Sequence, residues 1–351
     1  MSKMASSKAI HKPVMLKEVI QLLKEHLNTI DLSSTDNVDI LDLTLGDGGH
    51  SKAIYDFVQE YTDKNKLNTN FNLYSFDWDK SSMEFVIRQG RDISGIFYCD
   101  IGCSNVEFKK GEKTKNKNTS HVKWHLVNAN FAWIQNFSSH QKLDNIIFVL
   151  ADLGVSSRQL EIKNRGFSFQ SKKGVADMRM ARDFMQVKAY DLLNGLSEKE
   201  LRDLFVTNIG MPKHIATSIA KEIVKQRQLK PFGFEDDLYR LNKIAFILKN
   251  KGIRKLSSSK IHPATLIYLA LRIAVNAERQ NLFQMLQGLG QLSKKTTKLA
   301  ILGFHSGEWE LLETLPSLFG FKLTSIQVPT QTEIRDNSRA RSAKLFVYKY
   351  E

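Results

Sequence analysis

An apolar run over residues 147–151 ends on Asp152 and passes into a long polar stretch, to about residue 180, dense in Gly, Ser, Arg and Phe with little apolar periodicity. A short apolar run bounded in this way reads as a buried strand that delivers a carboxylate to its carboxyl end. In open α/β sheets ligands bind just outside the carboxyl ends of the strands, so this segment constrains the chain toward such a sheet, with its chemistry at that edge.

A second segment narrows the ligand. Residues 39–43 form a strand candidate that runs into Thr44-Leu45-Gly46-Asp47-Gly48-Gly49-His50, ahead of a helical pattern over 51–59. Glycines let a backbone turn sharply and approach a ligand, and the first amides of the following helix face an anionic group. Alone, Gly-x-Gly-Gly fits a plain tight turn as well as a cofactor loop. A further strand over 72–76 ends on Asp77. That carboxylate suits a ribose diol, or equally the N-cap of a helix starting near Lys80. The chain has no GxxxxGK[ST] and departs from GxGxxG, which disfavours triphosphates and pyrophosphates. A nucleoside carrying a small zwitterion fits better: S-adenosylmethionine, its carboxylate at the glycine turn and its ribose on Asp77.

The segments HKPVML (11–16), DLTLGDGGHS (42–51), DLGVSSRQLE (152–161), RGFSF (165–169), DMRM (177–180), HPAT (262–265), RIAVNAE (272–278), FHS (304–306) and NSRARSAKL (337–345) occur in this order. In them the chain resembles the RsmH/MraW family of S-adenosylmethionine-dependent methyltransferases over nearly its whole length. The resemblance implies an α/β fold, a Rossmann-like class I methyltransferase sheet interrupted by an inserted helical substrate-recognition domain. It implies methyl transfer to cytosine N4 in small-subunit, 16S-type ribosomal RNA. It also implies cofactor contacts from the loop Gly46, Gly48, Gly49 and His50, from Asp77 and from Phe131, with Asp152 and Gln159 closing over the adenosyl end. Arg165, Asp177, Arg179, His305, Arg339 and Arg341 are implied near the RNA strand, where an arginine makes bidentate phosphate contacts; internal salt bridges and loop capping are the other reading. Two departures stand out. After Phe304-His305-Ser306 the family continues Leu-Glu-Asp where this chain has Gly307-Glu308-Trp309, and after Gly210 an acidic pair is replaced by Met211-Pro212-Lys213.

The reaction sets its own demands. The exocyclic amine of cytosine is a poor nucleophile, so an acceptor on one N4 hydrogen and a later base are needed. Asp152 is the candidate catalytic residue for that work. A cytosine withdrawn from its stack needs a replacement face; Phe167 or Phe169 could supply it, or both could lie in the core.

The expected organisation is a methyltransferase domain over 1–180, an inserted helical RNA-recognition domain over 181–261, and the rest of the methyltransferase domain over 262–351. Residues 213–260 hold 12 Lys or Arg against 4 Asp or Glu, so this stretch alone supplies +8 of the net +14. Ser197 to Glu200 reads as a capping box, and Ile215, Ile219, Ala220, Ile223 and Val224 fall at helical spacing. Charge of one sign favours a polyanionic partner, with Lys225, Arg227 and Lys230 as RNA contacts; solvated helix faces are the bland account. His262-Pro263 opens a returning helix whose apolar face is Leu266, Leu269, Ala270, Ile273, Ala274 and Ala277. Strands are expected over 299–304, 321–328 and 344–349, with a helix over 309–318.

Residues 61–70 and 104–120, rich in Lys, Asn, Thr and Ser, are expected as solvated loops. Cys99, Cys103, His121 and His125 mimic paired metal ligands, but only two cysteines favour free thiols in a reducing compartment and no metal. No run of about eighteen apolar residues suggests a membrane span. The acid-free, basic residues 1–12 suit a short transit peptide, which slightly favours mitochondria over cytoplasm. Three functions compete: the rRNA methyltransferase, an RNA- and cofactor-binding ribosome-assembly factor with little or no turnover, and a methyltransferase for a small molecule or protein. The basic stretch argues against the last.

Overall fold

The computed structural model describes residues 12–33, 35–101, 106–111, 121–171, 173–250 and 263–351. The expected transit stretch up to His11, Cys103, most of 104–120 and His262 lie outside the described residues. The described chain divides into two compact units, one comprising the residues up to Asp77, Ser81–Gly154 and Leu286–Glu351, the other Trp78–Lys80 and Val155–Met285.

The first unit is built on one sheet. Its strands are β1 (Asn37–Asp42), β2 (Asn70–Phe76), β3 (Gly95–Ile101), β4 (Val106–Lys110), β5 (Val122–Asn128), β6 (Ile146–Asp152), β7 (Lys298–Gly303), β8 (Phe321–Gln327) and β9 (Lys344–Tyr350). They lie in the order β4-β3-β5-β2-β1-β6-β7-β9-β8. β5, β2, β1, β6 and β7 are mutually parallel neighbours, while β9 runs antiparallel to both β7 and β8. The reversal between β1 and its two neighbours β2 and β6 is the switch point of an open doubly wound sheet. Both faces of the central strands are covered, which is why their sequences are largely apolar: Leu41, Phe148, Leu150, Ala300 and Leu302 are all buried.

Helices α1 (Leu16–Leu27), α2 (Gly49–Asn65), α3 (Lys80–Arg88), α4 (Ile134–Gln141) and α12 (Ser306–Thr314) connect or cover these strands. α2 continues to Asn65 and β2 starts at Asn70, so the expected loop over 61–70 is corrected to a short connection over 66–69. In its last turns the Thr62 hydroxyl, buried, is satisfied by the Val58 carbonyl at 2.7 Å. The second expected loop is corrected where it is described: β4 pairs antiparallel with β3, and buried Phe108 sets its ring edge-on to Phe137 at 5.1 Å. His125 belongs to the same aromatic cluster, stacked on Tyr74 at 4.9 Å, and burial holds its ring well below the usual range, at about 4.

The second unit has its own core. It contains α5 (Ser157–Glu161), α6 (Ala189–Gly195), α7 (Glu198–Ile209), α8 (Lys213–Leu229), α9 (Asp237–Asn250) and α10 (Pro263–Val275), and α11 (Glu278–Leu292) leads out of it. The capping box at Ser197 and Glu200 forms, and Ile215, Ile219, Ala220 and Ile223 are buried. The compact division falls at residues 155 and 285, outside the expected 181 and 261. The reason is apolar burial: Phe167, Ala176, Met178 and Met180 on one side, and Ile267, Tyr268 and Leu271 on the other, pack into this helical core. The face of α10 is therefore corrected in part. Of the expected residues Ala270 and Ile273 are buried, together with Ala264, Ile267, Tyr268, Leu271 and Val275, whereas Leu266, Leu269 and Ala274 are half-buried and Ala277 is exposed. Among the described residues no helix is long and apolar enough to cross a membrane.

Candidate active site

Three acids mark the carboxyl ends of three adjacent strands. Asp42 closes β1, Asp77 follows β2 and Asp152 closes β6. The glycine turn leaves β1 beside them, with Gly46 at φ 52° and Gly48 at φ 74°, the left-handed region that glycine adopts without strain. A Cβ on Gly48 would lie 2.7 Å from Arg91 Nη1 and 2.8 Å from Val86 Cγ2, and one on Gly49 only 2.4 Å from Pro13 Cγ. Both positions are closed to side chains. Arg91 Nη1 also donates to the Gly48 carbonyl at 2.6 Å, bracing the turn from behind.

The turn and the second acid meet. The Gly46 amide donates to Asp77 Oδ2 at 3.0 Å, and the Leu45 amide donates to the Phe76 carbonyl at 2.7 Å. Asn128 Nδ2, at the end of β5, donates to the Asp77 carbonyl at 2.9 Å. Phe131 stands half-buried in the 3₁₀ turn Phe131–Trp133 just after β5, started by Asn130 accepting from the Ala132 amide. Gly46, Asp77 and Phe131 thus gather at the carboxyl edge of the sheet.

Asp152 is placed by residues that the motifs did not single out. Its amide donates to Thr44 Oγ1 at 2.6 Å, and the Thr44 amide donates to Asp42 Oδ1 at 3.1 Å. Fully buried Asp42 also accepts from Ser51 Oγ at 2.5 Å, and Ser51 in turn meets Ser75 Oγ at 2.7 Å. The sequence signal was an acid ending an apolar strand, as at Asp152 itself. Burial raises the Asp152 carboxyl to about 6; His50 pulls it down, while Asp42 and Glu308 push it further up. His50, at the start of α2, is 5 % exposed and donates from Nε2 to the Val14 carbonyl at 3.0 Å, with Nδ1 3.6 Å from Asp152 Oδ2.

The remaining expected residues divide. Gln159 belongs to the helical unit, where its Nε2 donates to Asp79 Oδ2 at 3.0 Å and its Oε1 accepts from the Ser156 amide, completing the capping box of α5. Arg165 is 5 % exposed and pairs with Asp79 Oδ2 at 2.7 Å while donating to the Met180 carbonyl. Arg179 grips both oxygens of Asp177 and donates to the Met185 carbonyl. Both arginines make internal ion pairs in this structure, which is the second of the two readings the sequence offered for them. Phe167 is 7 % exposed in the helical core and half-buried Phe169 sets its ring edge-on to Tyr268, so the open stacking face is corrected for Phe167. Arg227 donates to the Leu193 and Leu196 carbonyls, capping the end of α6, and Lys230 pairs with Asp236 at 2.8 Å. Lys225 is exposed on α8.

His305 caps α12 by accepting from the Glu308 amide at 3.2 Å, and Glu308 Oε2 accepts from the Phe304 amide. Trp309 Nε1 donates to the Gly303 carbonyl and its ring carries Lys344 Nζ at 4.1 Å. The departure Gly307-Glu308-Trp309 is thus folded into the end of β7. Arg339 is half-buried and Arg341 exposed on the 3₁₀ turn Ser338–Ser342.

A doubly wound sheet with a glycine turn after β1, an acid after β2 and a carboxylate ending β6 defines a nucleoside-binding α/β protein. A model of the MraW methylase family matches residues 108–315, and the chain belongs to that family. A Ribosomal RNA small subunit methyltransferase H from Coprothermobacter proteolyticus is 30% identical over 97% of this chain and 95% of its own length. One from Mycoplasmopsis pulmonis is 32% identical over 97% and 99%, and one from Magnetococcus marinus 37% identical over 63% and 75%.

Proposed function

We propose that the chain transfers a methyl group from S-adenosylmethionine to the exocyclic N4 of a cytidine in small-subunit ribosomal RNA. The observation that carries the cofactor reading is the hydrogen bond from the Gly46 amide to Asp77, which brings the glycine turn and the ribose acid to one place. Family membership supports the reaction, and the names of the relatives support the RNA.

The residues fit the cofactor. In this reading the zwitterion lies on the amides that open α2, Asp77 accepts from sugar hydroxyls, and Phe131 offers an aromatic face. When bound, S-adenosylmethionine supplies an electrophilic methyl. Asp152 accepts one N4 hydrogen of the cytosine, which localises the lone pair on the amine. Thr44, braced by Asp42, fixes where that carboxylate stands. Exposed Lys225 on α8 and exposed Arg341 are the phosphate contacts in this reading, because the other expected arginines of the helical unit are engaged internally. The compartment is the one in which that subunit is assembled, with mitochondria favoured by the basic residues 1–12; import of labelled protein into isolated mitochondria tests it.

The second reading is an assembly factor that binds RNA and cofactor without turnover, favoured by the folding of Glu308 and Trp309 into the end of β7. One assay separates them. The protein is incubated with labelled S-adenosylmethionine and small-subunit RNA, and the RNA is digested to nucleosides. Label in N4-methylcytidine is expected; bound cofactor with no label after long incubation would favour the second reading.

A further inference from the structure

We infer that His50 and Asp152 work as a single acid–base unit, the carboxylate taking the proton of the substrate amine and His50 Nδ1 storing it. This rests on the reading of the site as a methyl-transfer centre and adds to it a place for the proton.

The argument begins with the tautomer. His50 Nε2 lies 3.0 Å from the Val14 carbonyl, and a carbonyl only accepts, so Nε2 keeps its hydrogen. In the neutral ring Nδ1 then carries a lone pair, and it stands 3.6 Å from Asp152 Oδ2. A lone pair facing a carboxylate oxygen inside a protein is repulsive until a proton comes between them. The groups around Asp152 make that proton welcome: Asp42 at the end of β1 and Glu308 on α12 are both acidic, and His50 on α2 is the basic neighbour among those that shift it. Burial adds to this, and the Asp152 carboxyl stands at about 6.

The balance of the step is complete without a further reactant. The bond from N4 to the methyl carbon forms as the carbon–sulfur bond breaks, and sulfur keeps that electron pair. The methylated amine loses one proton to Asp152, and the proton passes along the line to His50 Nδ1. The imidazolium that results keeps its Nε2 hydrogen on the Val14 carbonyl. It discharges through Asp152, whose side chain retains 27% exposure to water.

The test reads the histidine directly and needs no turnover. In cofactor-free protein labelled with ¹⁵N in histidine, His50 is expected as the Nε2–H tautomer. In Asp152→Asn its Nδ1 signal is expected to move, because the carboxylate facing that nitrogen is gone, while the Nε2–H signal on the Val14 carbonyl stays in place. A second measurement follows single-turnover methyl transfer against pH. His50→Gln keeps a donor for the Val14 carbonyl but removes the proton store. It is expected to slow transfer by about ten-fold or more and to flatten the rise of rate with pH. An Nδ1–H tautomer, an Nδ1 signal unmoved in Asp152→Asn, or a His50→Gln rate profile that overlays the wild type would overturn the inference. If wild-type protein methylates nothing at any pH, the methyltransferase reading fails instead, and the histidine spectra still report whether the pair exists.

Discussion

At the scale of single residues, two side chains of the same type can do opposite work. Asp77 is held by the glycine-turn amide and placed for sugar hydroxyls. Asp77→Ala is therefore expected to weaken S-adenosylmethionine binding at least ten-fold by calorimetry, since a hydrogen bond to a charged group is worth about 1.5–3 kcal/mol. Arg165 and Lys225 form a matching contrast. Arg165 and Asp79 are each 6% exposed and face each other at 2.7 Å. Removing one member of such a pair leaves a buried charge, so Arg165→Ala is expected to lower stability by about 3 kcal/mol in denaturant unfolding. Lys225→Ala is expected to leave the unfolding curve in place and weaken binding to small-subunit RNA; a variant with unchanged RNA affinity would remove Lys225 from the interface. The glycine turn and its acids were legible in the sequence because backbone geometry and strand ends demand those residue types. The roles of Arg165, Arg179 and Arg227 were not. An arginine's partner is chosen by tertiary contact, and nothing in RGFSF or DMRM reveals that Asp79 and the Met180 carbonyl will be waiting.

Single elements carry the next set of expectations. The start of α2 is sealed by Pro13 against Gly49, so Gly49→Ala is expected to cost about 1–3 kcal/mol, as overpacking does, and to weaken cofactor binding with it. Arg227 caps α6 through two carbonyls. Its replacement by Ala is expected to destabilise the helical unit by about 1–3 kcal/mol in thermal unfolding, the cost of unmade hydrogen bonds at a helix end. An unchanged melting curve would contradict the cap. For that reason Arg227 is a poor probe of RNA contact. Long amphipathic helices such as α7 and α8 were legible, as were β1, β2, β6 and the last three strands. β3 and β4 were missed because a two-strand edge announces itself only through alternate burial of residues such as Phe97 and Phe108. The face of α10 was only partly read, Ala270 and Ile273 being buried as expected, because the helix is apolar nearly all round and periodicity cannot choose a side where every side qualifies.

Across the whole molecule, two separate cores explain why the division at 155 and 285 escaped the sequence. Residues 155–180 carry catalytic-domain motifs, yet their apolar side chains are buried among helices, and only packing reveals that. The ionisable core groups also give the protein a pH dependence of mixed sign. Burial raises Asp39 from 3.8 to about 6, so the folded state binds a proton there that the unfolded state has released. Its contribution is greatest below about 4 and is lost as pH rises through about 6. His125 acts oppositely: lowered from 6.5 to about 4, it stabilises above 6.5, and that stability is lost as pH falls toward about 4. Asp39→Asn removes the first contribution alone, so its melting temperature is expected to climb more steeply between pH 4 and 6 than that of the wild type; parallel curves would contradict the assignment. The account as a whole turns on where the methyl donor sits, and a crystal soaked with S-adenosylmethionine tests this most directly. The predicted result is density with the amino-acid end against the amides of residues 46–49 and the ribose hydroxyls on Asp77; donor bound anywhere else, with that edge of the sheet bare, would contradict it.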